Sequence, residues 1–343
     1  MDSYRLRPDG PFSLANERRF FGDWLSVPSD PEAVAMAFPV EGWRGSAAVV
    51  LREADDGAVE GTVVTTGDAE PSHAWAQALA TFSLDVDGSD FPDVGARDPV
   101  IGDLQARYGW LRLVCFHSPY EAAVNFVVGQ RISMRQARAV RTRLALELGD
   151  PLELAGQTFH AFPRPERLAA LAEFPGLPDE KLARLRGVAR VAADGLLDRG
   201  RLRALPVPEA LADLQRLRGV GPFAAQGILH RGAGLVDEVT DDEVTREAVM
   251  LAYNLPRRPS HADVLEIAAP WRPFRMWATV LLHVWLRREQ GGPTRPRGQT
   301  VPRSAAERGY GPAAAVDTIP TDRGGWANPA MTHSGDRYWF MTR

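Results

Sequence analysis

The residues best suited to chemistry lie in a glycine-rich turn and in a pair of acids that follows it. The turn is Leu217-Arg218-Gly219-Val220-Gly221-Pro222, between two short amphipathic segments. Glycines permit positive φ and leave backbone N–H groups uncovered, so a phosphate can approach closely. The helix predicted to start at Pro222 directs its positive end at the same point. The turn therefore favours a hairpin that binds a phosphate backbone, with a plain tight turn between packed helices as the alternative.

The acids are Asp241 and Asp242, in Thr240-Asp241-Asp242-Glu243-Val244 at the start of the next predicted helix. Helix capping alone would explain them, and that explanation applies more strongly to Asp241. A helix N-terminus also favours negative charge, and an anion stabilises the sugar cation that develops when a glycosidic bond breaks. One of the two acids is therefore a candidate catalytic group.

The composition limits which other chemistries are open. Cys115 is the single cysteine, which excludes internal disulfides and thiolate metal clusters. The seven histidines form no His-x-x-x-His pair, so we expect no metal site. Of the 40 basic residues only Lys181 is a lysine. A Schiff-base mechanism could therefore use only Lys181 or the N-terminal amine.

Charge is divided unevenly along a chain whose net charge is −4. Residues 1–110 hold 8 Arg and 19 Asp and Glu, whereas residues 111–343 hold 32 Lys and Arg and 25 Asp and Glu. Because charge is felt within a Debye length of about 8–10 Å, the local balance matters more than the total. The C-terminal part is favoured as an anion-binding surface, and an acidic solubilising segment beside an ordinary one is an equal alternative on charge alone.

The sequence contains no signal-peptide core within residues 1–12 and no apolar run near the roughly 18 residues that a membrane span needs. We therefore expect a cytoplasmic protein with no membrane association.

In residues 1–112 the pattern predicts a mixed α/β domain. Strands Ser46–Glu53 and Val59–Thr66 flank the turn Ala54-Asp55-Asp56-Gly57, which suits a hairpin. The segment His73–Phe82 is predicted to be a helix. The segment Asp90–Gly102 contains Pro and Gly and is predicted to be a connecting loop.

Residues 113–290 have a helical pattern, and residues 291–343 have none. Ser133-Met134-Arg135-Gln136 is a capping box that opens a helix closed by Gly149. The Gly-, Pro- and Arg-rich segment 291–343 is predicted to be a disordered tail. The expected fold class is α+β, with an N-terminal mixed α/β domain, an all-α module and this tail. The predicted helices are Pro119–Val128, Ser133–Leu148, Pro165–Glu173, Asp179–Leu197, Pro208–Arg216, Pro222–Arg231, Glu243–Tyr253, Ala262–Ala268 and Pro273–Arg288.

Several separated motifs resemble the helix–hairpin–helix superfamily of DNA glycosylases, and within it the 3-methyladenine DNA glycosylase II branch. The resemblance spans roughly residues 4–289, and the motifs occur in the family's order. Besides the hairpin and its aspartate, they are Asp98-Pro99-Val100-Ile101-Gly102, Tyr108-Gly109-Trp110-Leu111-Arg112-Leu113, Ser118-Pro119-Tyr120-Glu121-Ala122, Gly129-Gln130-Arg131-Ile132-Ser133, Phe162-Pro163-Arg164-Pro165-Glu166-Arg167-Leu168, Trp271-Arg272-Pro273-Phe274-Arg275 and His283-Val284-Trp285.

The resemblance implies a role for each matching position. Asp242 matches the catalytic aspartate. Gln130 and Arg131 match residues that fill the gap left by a flipped base. Phe223 and Trp285 match aromatic walls of the base pocket, and Gly227 stands where some relatives have a pocket tyrosine. The remaining DNA contacts are expected from Gly219, Val220, Gly221 and Ser133.

The departures from the family pattern bear on mechanism and on substrate range. Phe223 stands where bifunctional branches carry a lysine, which implies a water nucleophile and no strand cleavage. The chain lacks the four cysteines of the branches with an iron–sulfur cluster. Arg131 replaces the bulky aliphatic wedge of some relatives. No cofactor is expected, apart from a monovalent cation that backbone carbonyls of the hairpin could coordinate.

The resemblance implies a monofunctional glycosylase that flips alkylated purines from double-stranded damaged DNA and leaves an abasic site. We expect it to be monomeric and associated with the nucleoid. One alternative is the same scaffold acting on hypoxanthine, uracil or an oxidised purine. Another is a helix–hairpin–helix protein that binds damage without cutting. A binding module would have no need of Asp242 beside a pocket.

Overall fold

The computed structural model describes residues 1–21 and 32–290, all within one compact unit, 1–292. The predicted tail lies outside the described residues, and the proposed division at residue 112 stays a prediction. The strands are β1 (Asp2–Leu6), β2 (Val34–Pro39), β3 (Ser46–Glu53), β4 (Val59–Thr65), β5 (Pro151–Leu154) and β6 (Gln157–His160). The helices are α1 (Leu14–Phe21), α2 (Pro71–Thr81), α3 (Phe91–Arg97), α4 (Pro99–Tyr108), α5 (Pro119–Gly129), α6 (Met134–Leu148), α7 (Pro165–Ala169), α8 (Asp179–Ala193), α9 (Arg199–Ala204), α10 (Val207–Gln215), α11 (Pro222–Gly227), α12 (Glu243–Ala252), α13 (His261–Ile267) and α14 (Arg275–Glu289).

The N-terminal sheet has four antiparallel strands in the order β1-β4-β3-β2. The predicted hairpin is confirmed, because β3 and β4 pair in register from Glu53 opposite Val59, and Gly57 adopts φ +79° in the turn. Strands β1 and β2 were not predicted. A second hairpin, β5–β6, packs the side chains of Leu152 and Phe159 into the apolar core formed by this sheet.

The segment Asp90–Gly102 is not a loop, and that prediction is wrong. It contains α3 and the start of α4, separated at Asp98. Asp98 accepts hydrogen bonds from the backbone N–H groups of Val100 and Ile101, so it caps α4, and Pro99 occupies the first helical position. The segment was predicted to be a loop from its Pro and Gly residues, but Pro99 marks the start of a helix here.

The α+β class is confirmed, and most predicted helices form. The capping box is present as predicted, with Ser133 and Gln136 bonded reciprocally at the start of α6. Helix α7 ends at Ala169 rather than at Glu173, and α8 ends at Ala193 rather than at Leu197. Helix α9, which follows α8, was not predicted. The helical module is also interrupted by β5–β6, so it is not all-α as expected. Among the described helices, none has both the length and the apolar character that a bilayer span requires.

Two helical segments carry the candidate site. Helix α11 continues directly into a π-helical turn, Ile228–Ala233, so the chain from Phe223 to His230 is one helical stretch. Helix α14 is buried along most of its length and packs against α12. The start of α12, the hairpin and α14 are therefore held by the core of the helical part.

Candidate active site

The carboxylate of Asp242 is held at the N-terminus of α12 by a single threonine. Its Oδ1 accepts a hydrogen bond from the backbone N–H of Thr245 at 2.8 Å, and its Oδ2 accepts one from the Thr245 hydroxyl at 3.1 Å. Asp242 itself is half-buried. Because an ionised carboxylate has about four lone-pair sites, each oxygen keeps one for a substrate or a water. The carboxylate is therefore held in one orientation and can still bind a substrate or a water.

The neighbouring acid, Asp241, has a different environment. It is exposed and lies 2.5 Å from a guanidinium nitrogen of Arg246 and 3.8 Å from Nδ1 of His261. The sequence favoured Asp241 for the capping role. That preference is wrong, because α12 begins at Glu243 and its cap is therefore Asp242.

Buried polar side chains extend from Asp242 into the core. The hydroxyl of Thr245, which is fully buried, lies 2.9 Å from His283 Nε2 on α14 and 2.9 Å from the hydroxyl of Thr240. Burial lowers the pKa of His283 to about 4, against the opposing attraction of the Asp242 carboxylate. His283 is therefore neutral at pH 7.

A second histidine, His230, lies in the π-helical turn that continues α11. Burial lowers its pKa to about 4 as well, and the Asp242 charge again opposes the shift. The charge of Asp242 therefore acts on His230. Phe223, Gly227 and His230 are spaced by four and then three residues, so they lie along one side of a continuous helical stretch. This stretch connects the hairpin with the neighbourhood of the carboxylate.

The hairpin adopts the backbone conformation that its glycines permit. Gly219 has φ +93°, and Gly221 is the exposed N-cap of α11. Val220 is buried, and its N–H donates to the carbonyl of Leu217 at 2.9 Å. Val220 therefore anchors the hairpin, while the backbone at Gly221 faces solvent.

Gln130 supports the hairpin from the end of α5. Its Nε2 donates to the Gly219 carbonyl at 2.5 Å, and its Oε1 accepts from Arg184 at 2.7 Å. The bond to the carbonyl of Gly219 leaves that oxygen one lone pair, which is compatible with a monovalent cation at the hairpin. Cation binding at the hairpin stays a prediction.

Arg131 and Ser133 lie next to Gln130 on the surface. Arg131 is exposed and has φ +59°, a conformation that a residue with a long side chain rarely adopts. Such backbone strain is common at functional positions, and Arg131 lies exposed in the turn between α5 and α6. The Ser133 hydroxyl, also exposed, is engaged in capping α6. Their roles in DNA contact stay predictions.

Cationic side chains gather beside the hairpin around one carboxylate, Glu180. A guanidinium nitrogen of Arg184 lies 2.5 Å from Glu180, and one of Arg218 lies 3.9 Å away. The pKa of Glu180 is lowered, first by the hydrogen bond and charge of Arg184 and then by Arg218 and Arg131. Three arginines thus act on this one carboxylate, which favours a positive charge at this surface.

Of the predicted aromatic walls, Phe223 has a ring partner that the sequence did not identify. Phe223 is half-buried and meets Phe126 of α5 edge to face, with ring centroids 5.9 Å apart. A Cβ atom on Gly227 would lie only 2.0 Å from Cζ of Phe126. Next to Gly227, where some relatives have a pocket tyrosine, the Phe126 ring therefore leaves no room for a larger side chain. Trp285 is partly exposed on α14, two residues from His283.

The chain is 28% identical to the DNA-3-methyladenine glycosylase of Bacillus subtilis (strain 168) over 216 residues, which are 61% of this chain and 69% of that protein. It superposes on the 3-methyladenine DNA-glycosylase of Archaeoglobus fulgidus with a TM-score of 0.64 and 20% identity, covering 83% of this chain and 99% of that one. No family model matches the chain.

A third similar protein was solved on DNA. It is the 8-oxoguanine glycosylase/lyase of Clostridium acetobutylicum in complex with double-stranded DNA, with a TM-score of 0.53 and 17% identity over 72% of this chain and 86% of that one. The chain has the fold of the helix–hairpin–helix DNA glycosylases. The resemblance found in the sequence is confirmed.

Within this glycosylase fold, Lys181 is committed to a structural role. Its ammonium donates at 2.9 Å to the carbonyls of Val128 and Gln130 at the end of α5. Burial lowers its pKa, with a further contribution from the charge of Arg184. In the described part of the chain, no three His, Cys, Asp or Glu side chains are grouped as a metal site would need.

The sequence did not identify His230, Thr245, His283 or Phe126 as site residues. The one local signal was Thr245, which stands at the third helical position after the cap, where a side chain can return to the capping residue. The other three approach the site from distant segments. Only the tertiary structure brings them together.

Proposed function

We propose that this chain is a monofunctional DNA glycosylase that extrudes alkylated purines, of the 3-methyladenine and 7-methylguanine type, from duplex DNA. It would hydrolyse their N-glycosidic bond and leave an abasic site in an intact strand. The observation that carries the proposal is the half-buried carboxylate of Asp242, with both oxygens fixed by Thr245.

Asp242 acts on the sugar. Breaking an N-glycosidic bond develops positive charge on the sugar ring, and a preorganised anion stabilises that charge. The same carboxylate can orient or deprotonate the attacking water through a lone pair that Thr245 does not occupy. His230 and His283, both with a pKa lowered to about 4 by burial, are uncharged at pH 7 and do not cancel its charge.

The absence of a covalent intermediate follows from the nearby side chains. Phe223, which has no amine, stands where a bifunctional relative would carry its nucleophilic lysine. The ammonium of Lys181 holds two backbone carbonyls. Water is therefore the nucleophile, and the product strand stays uncut.

The preference for alkylated purines is supported by the aromatic groups and by the Bacillus subtilis relative named a DNA-3-methyladenine glycosylase. A purine alkylated on nitrogen is cationic or electron-poor, so it leaves readily and stacks well on an aromatic face. Stacking contributes on the order of 1–3 kcal/mol per base, with a cation–π part of about 0.5–2 kcal/mol. Phe223, backed by Phe126, and Trp285 would supply that stacking.

Duplex DNA is held by its backbone. The hairpin at Gly219 and Gly221 would take a phosphate, and the surplus charge of Arg184, Arg218 and Arg131 around Glu180 would attract the strand. Arg131, strained and exposed, would fill the gap left by the extruded base. The similar Clostridium acetobutylicum protein was solved bound to double-stranded DNA, which supports the duplex as the partner. We propose that the protein acts as a monomer.

The test is incubation with duplexes that each carry one lesion: 3-methyladenine, 7-methylguanine, hypoxanthine, uracil or 8-oxoguanine. Released bases are identified by mass spectrometry, and borohydride is added in parallel to trap any Schiff base. We expect release of the two alkylated purines and no trapped adduct. Release of none of the five bases, with tight binding to the damaged duplexes, would identify a binding protein instead of an enzyme.

A further inference from the structure

Four buried or half-buried polar groups form a hydrogen-bonded network centred on the hydroxyl of Thr245. The hydroxyl oxygen lies 3.1 Å from Asp242 Oδ2, 2.9 Å from His283 Nε2 and 2.9 Å from Thr240 Oγ1. Three separate segments of the chain contribute: the loop before α12, α12 itself and α14. Thr245 is fully buried and His283 is nearly so.

The count of donors and acceptors determines the direction of these bonds. An ionised carboxylate only accepts, and a threonine hydroxyl has one proton and two lone pairs. The proton of Thr245 must therefore point to Asp242. Its two lone pairs then accept from Thr240 and from His283, which requires the neutral histidine to carry its proton on Nε2. Only in this arrangement does every group in the network have a hydrogen-bond partner.

Helix capping does not require this hydrogen-bonded network. A cap needs one carboxylate oxygen to accept a backbone N–H, and Oδ1 of Asp242 does so with Thr245. The bond from the Thr245 hydroxyl fixes the other oxygen, Oδ2, and prevents the carboxyl group from rotating. His283 in turn prevents the hydroxyl proton from turning away from Asp242.

We infer that Thr245 and His283 are positioning residues for base excision, which hold the second oxygen of Asp242 in the orientation that the reaction needs. This inference rests on the proposed function. Neither residue needs to touch the substrate. His283 also faces the charges of Arg231 and Arg287, which together with burial oppose its protonation, while Asp242 favours it. The histidine thus donates as a neutral group.

The experiment measures single-turnover release of 3-methyladenine and binding of an abasic-site duplex. Thr245→Val, which keeps the shape and loses the hydroxyl, and His283→Phe, which loses the donor, should each slow release by about tenfold to hundredfold, the cost of a misplaced reacting group. Duplex affinity should change less than about twofold, since backbone contacts supply most of it. Thr245→Ser and His283→Gln retain the donors and should restore most of the rate.

The matched control is a second threonine–histidine pair, in which Thr81 is buried and His117 is half-buried. Thr81 Oγ1 lies 3.1 Å from Nδ1 of His117, so Thr81→Val and His117→Phe report the general cost of such changes. We expect these variants to lose stability without losing the release rate measured on folded protein. A loss of rate equal to that of Thr245→Val would overturn the inference.

Two further results separate the inference from the proposed function. In the Asp242→Asn background, Thr245→Val should slow release no further, because both changes act through one group. If Thr245→Val and His283→Phe release the base at the wild-type rate while Asp242→Asn does not, the positioning role is refuted and the function stands. If Asp242→Asn is itself fully active, the proposed function fails. Should His283→Phe not fold, His283→Asn, whose amide is too short to reach Thr245, must show the same loss.

Discussion

Replacing Gly227 by alanine tests how the wall of the proposed base pocket is built. The glycine has helical backbone angles, φ −61° and ψ −39°, so alanine causes no backbone strain. The new methyl group would nevertheless lie 2.0 Å from Cζ, 2.6 Å from Cε2 and 2.8 Å from Cε1 of Phe126. These distances are far below van der Waals contact, so the ring of Phe126 must move.

The neighbours of Phe126 limit that movement. Its ring packs edge to face against Phe223 at 5.9 Å and against Phe116 at 6.5 Å. Overpacking of this kind costs about 1–3 kcal/mol, and a lost aromatic pair costs about 0.5–1.5 kcal/mol. The gain in helix propensity from glycine to alanine offsets about 1 kcal/mol. Gly227→Ala should therefore destabilise the protein by about 0.5–3.5 kcal/mol, the remainder of these terms.

The matched control is Gly187→Ala in α8, where an added Cβ would meet no atom within 4 Å. That change should stabilise by up to about 1 kcal/mol. Urea unfolding measures the free energy of unfolding of both variants. Single-turnover release of 3-methyladenine measures whether the pocket still places the base for excision. Gly227→Ala should slow release by about tenfold because a 1 Å shift of the Phe223 wall disturbs base placement, and Gly187→Ala should leave the rate unchanged. If the two variants are equally stable and equally active, Phe126 does not occupy this space and the reasoning is refuted.

Two further predictions concern DNA binding and pH. Arg131→Ala should weaken binding to an abasic-site duplex in a salt titration, because the gap left by the extruded base is no longer filled; unchanged binding and excision would assign the wedge to another residue. Burial raises the pKa of the Glu121 carboxyl from 4.5 to about 7, and the charge of Arg141 opposes this shift. The protonated carboxyl therefore favours the folded state, and that stability is lost as the pH rises through 7. Glu121→Gln should thus gain stability relative to the wild type between pH 4.5 and 7, by on the order of 3 kcal/mol in urea unfolding; a pH-independent difference would contradict this.

The features that could be predicted from sequence depend on neighbouring residues. The β3–β4 hairpin follows from two β-rich runs on either side of the turn at Gly57, and the start of α6 follows from Ser133 and Gln136, three residues apart. The loop prediction for Asp90–Gly102 is wrong because its Pro and Gly residues were taken as loop signals, although a proline after a capping aspartate, as at Pro99, starts a helix. Local signals thus identified most of the later helices, whereas they missed β1, β2, β5, β6 and α9 and predicted helix limits less accurately.

The arrangement of the candidate site could not be predicted in the same way. His283 reaches Thr245 across 38 residues, and Gln130 reaches the Gly219 carbonyl across 89. Phe126 fills the space beside Gly227 from a different helix. Such contacts depend on how α5, α11, α12 and α14 pack, and no pattern within one segment specifies them. The resemblance identified Asp242, whereas its supporting residues required the structure.

The central claim is that Asp242 carries the chemistry, and the most direct test compares Asp242→Asn with Asp241→Asn. Asparagine still caps a helix, so Asp242→Asn should fold and bind abasic-site duplex. We expect it to release 3-methyladenine at least about 10²-fold more slowly, since the anion that stabilises the sugar cation is gone. Asp241→Asn, altered at an exposed ion pair with Arg246, should stay close to the wild-type rate. Wild-type release by both variants would contradict the account.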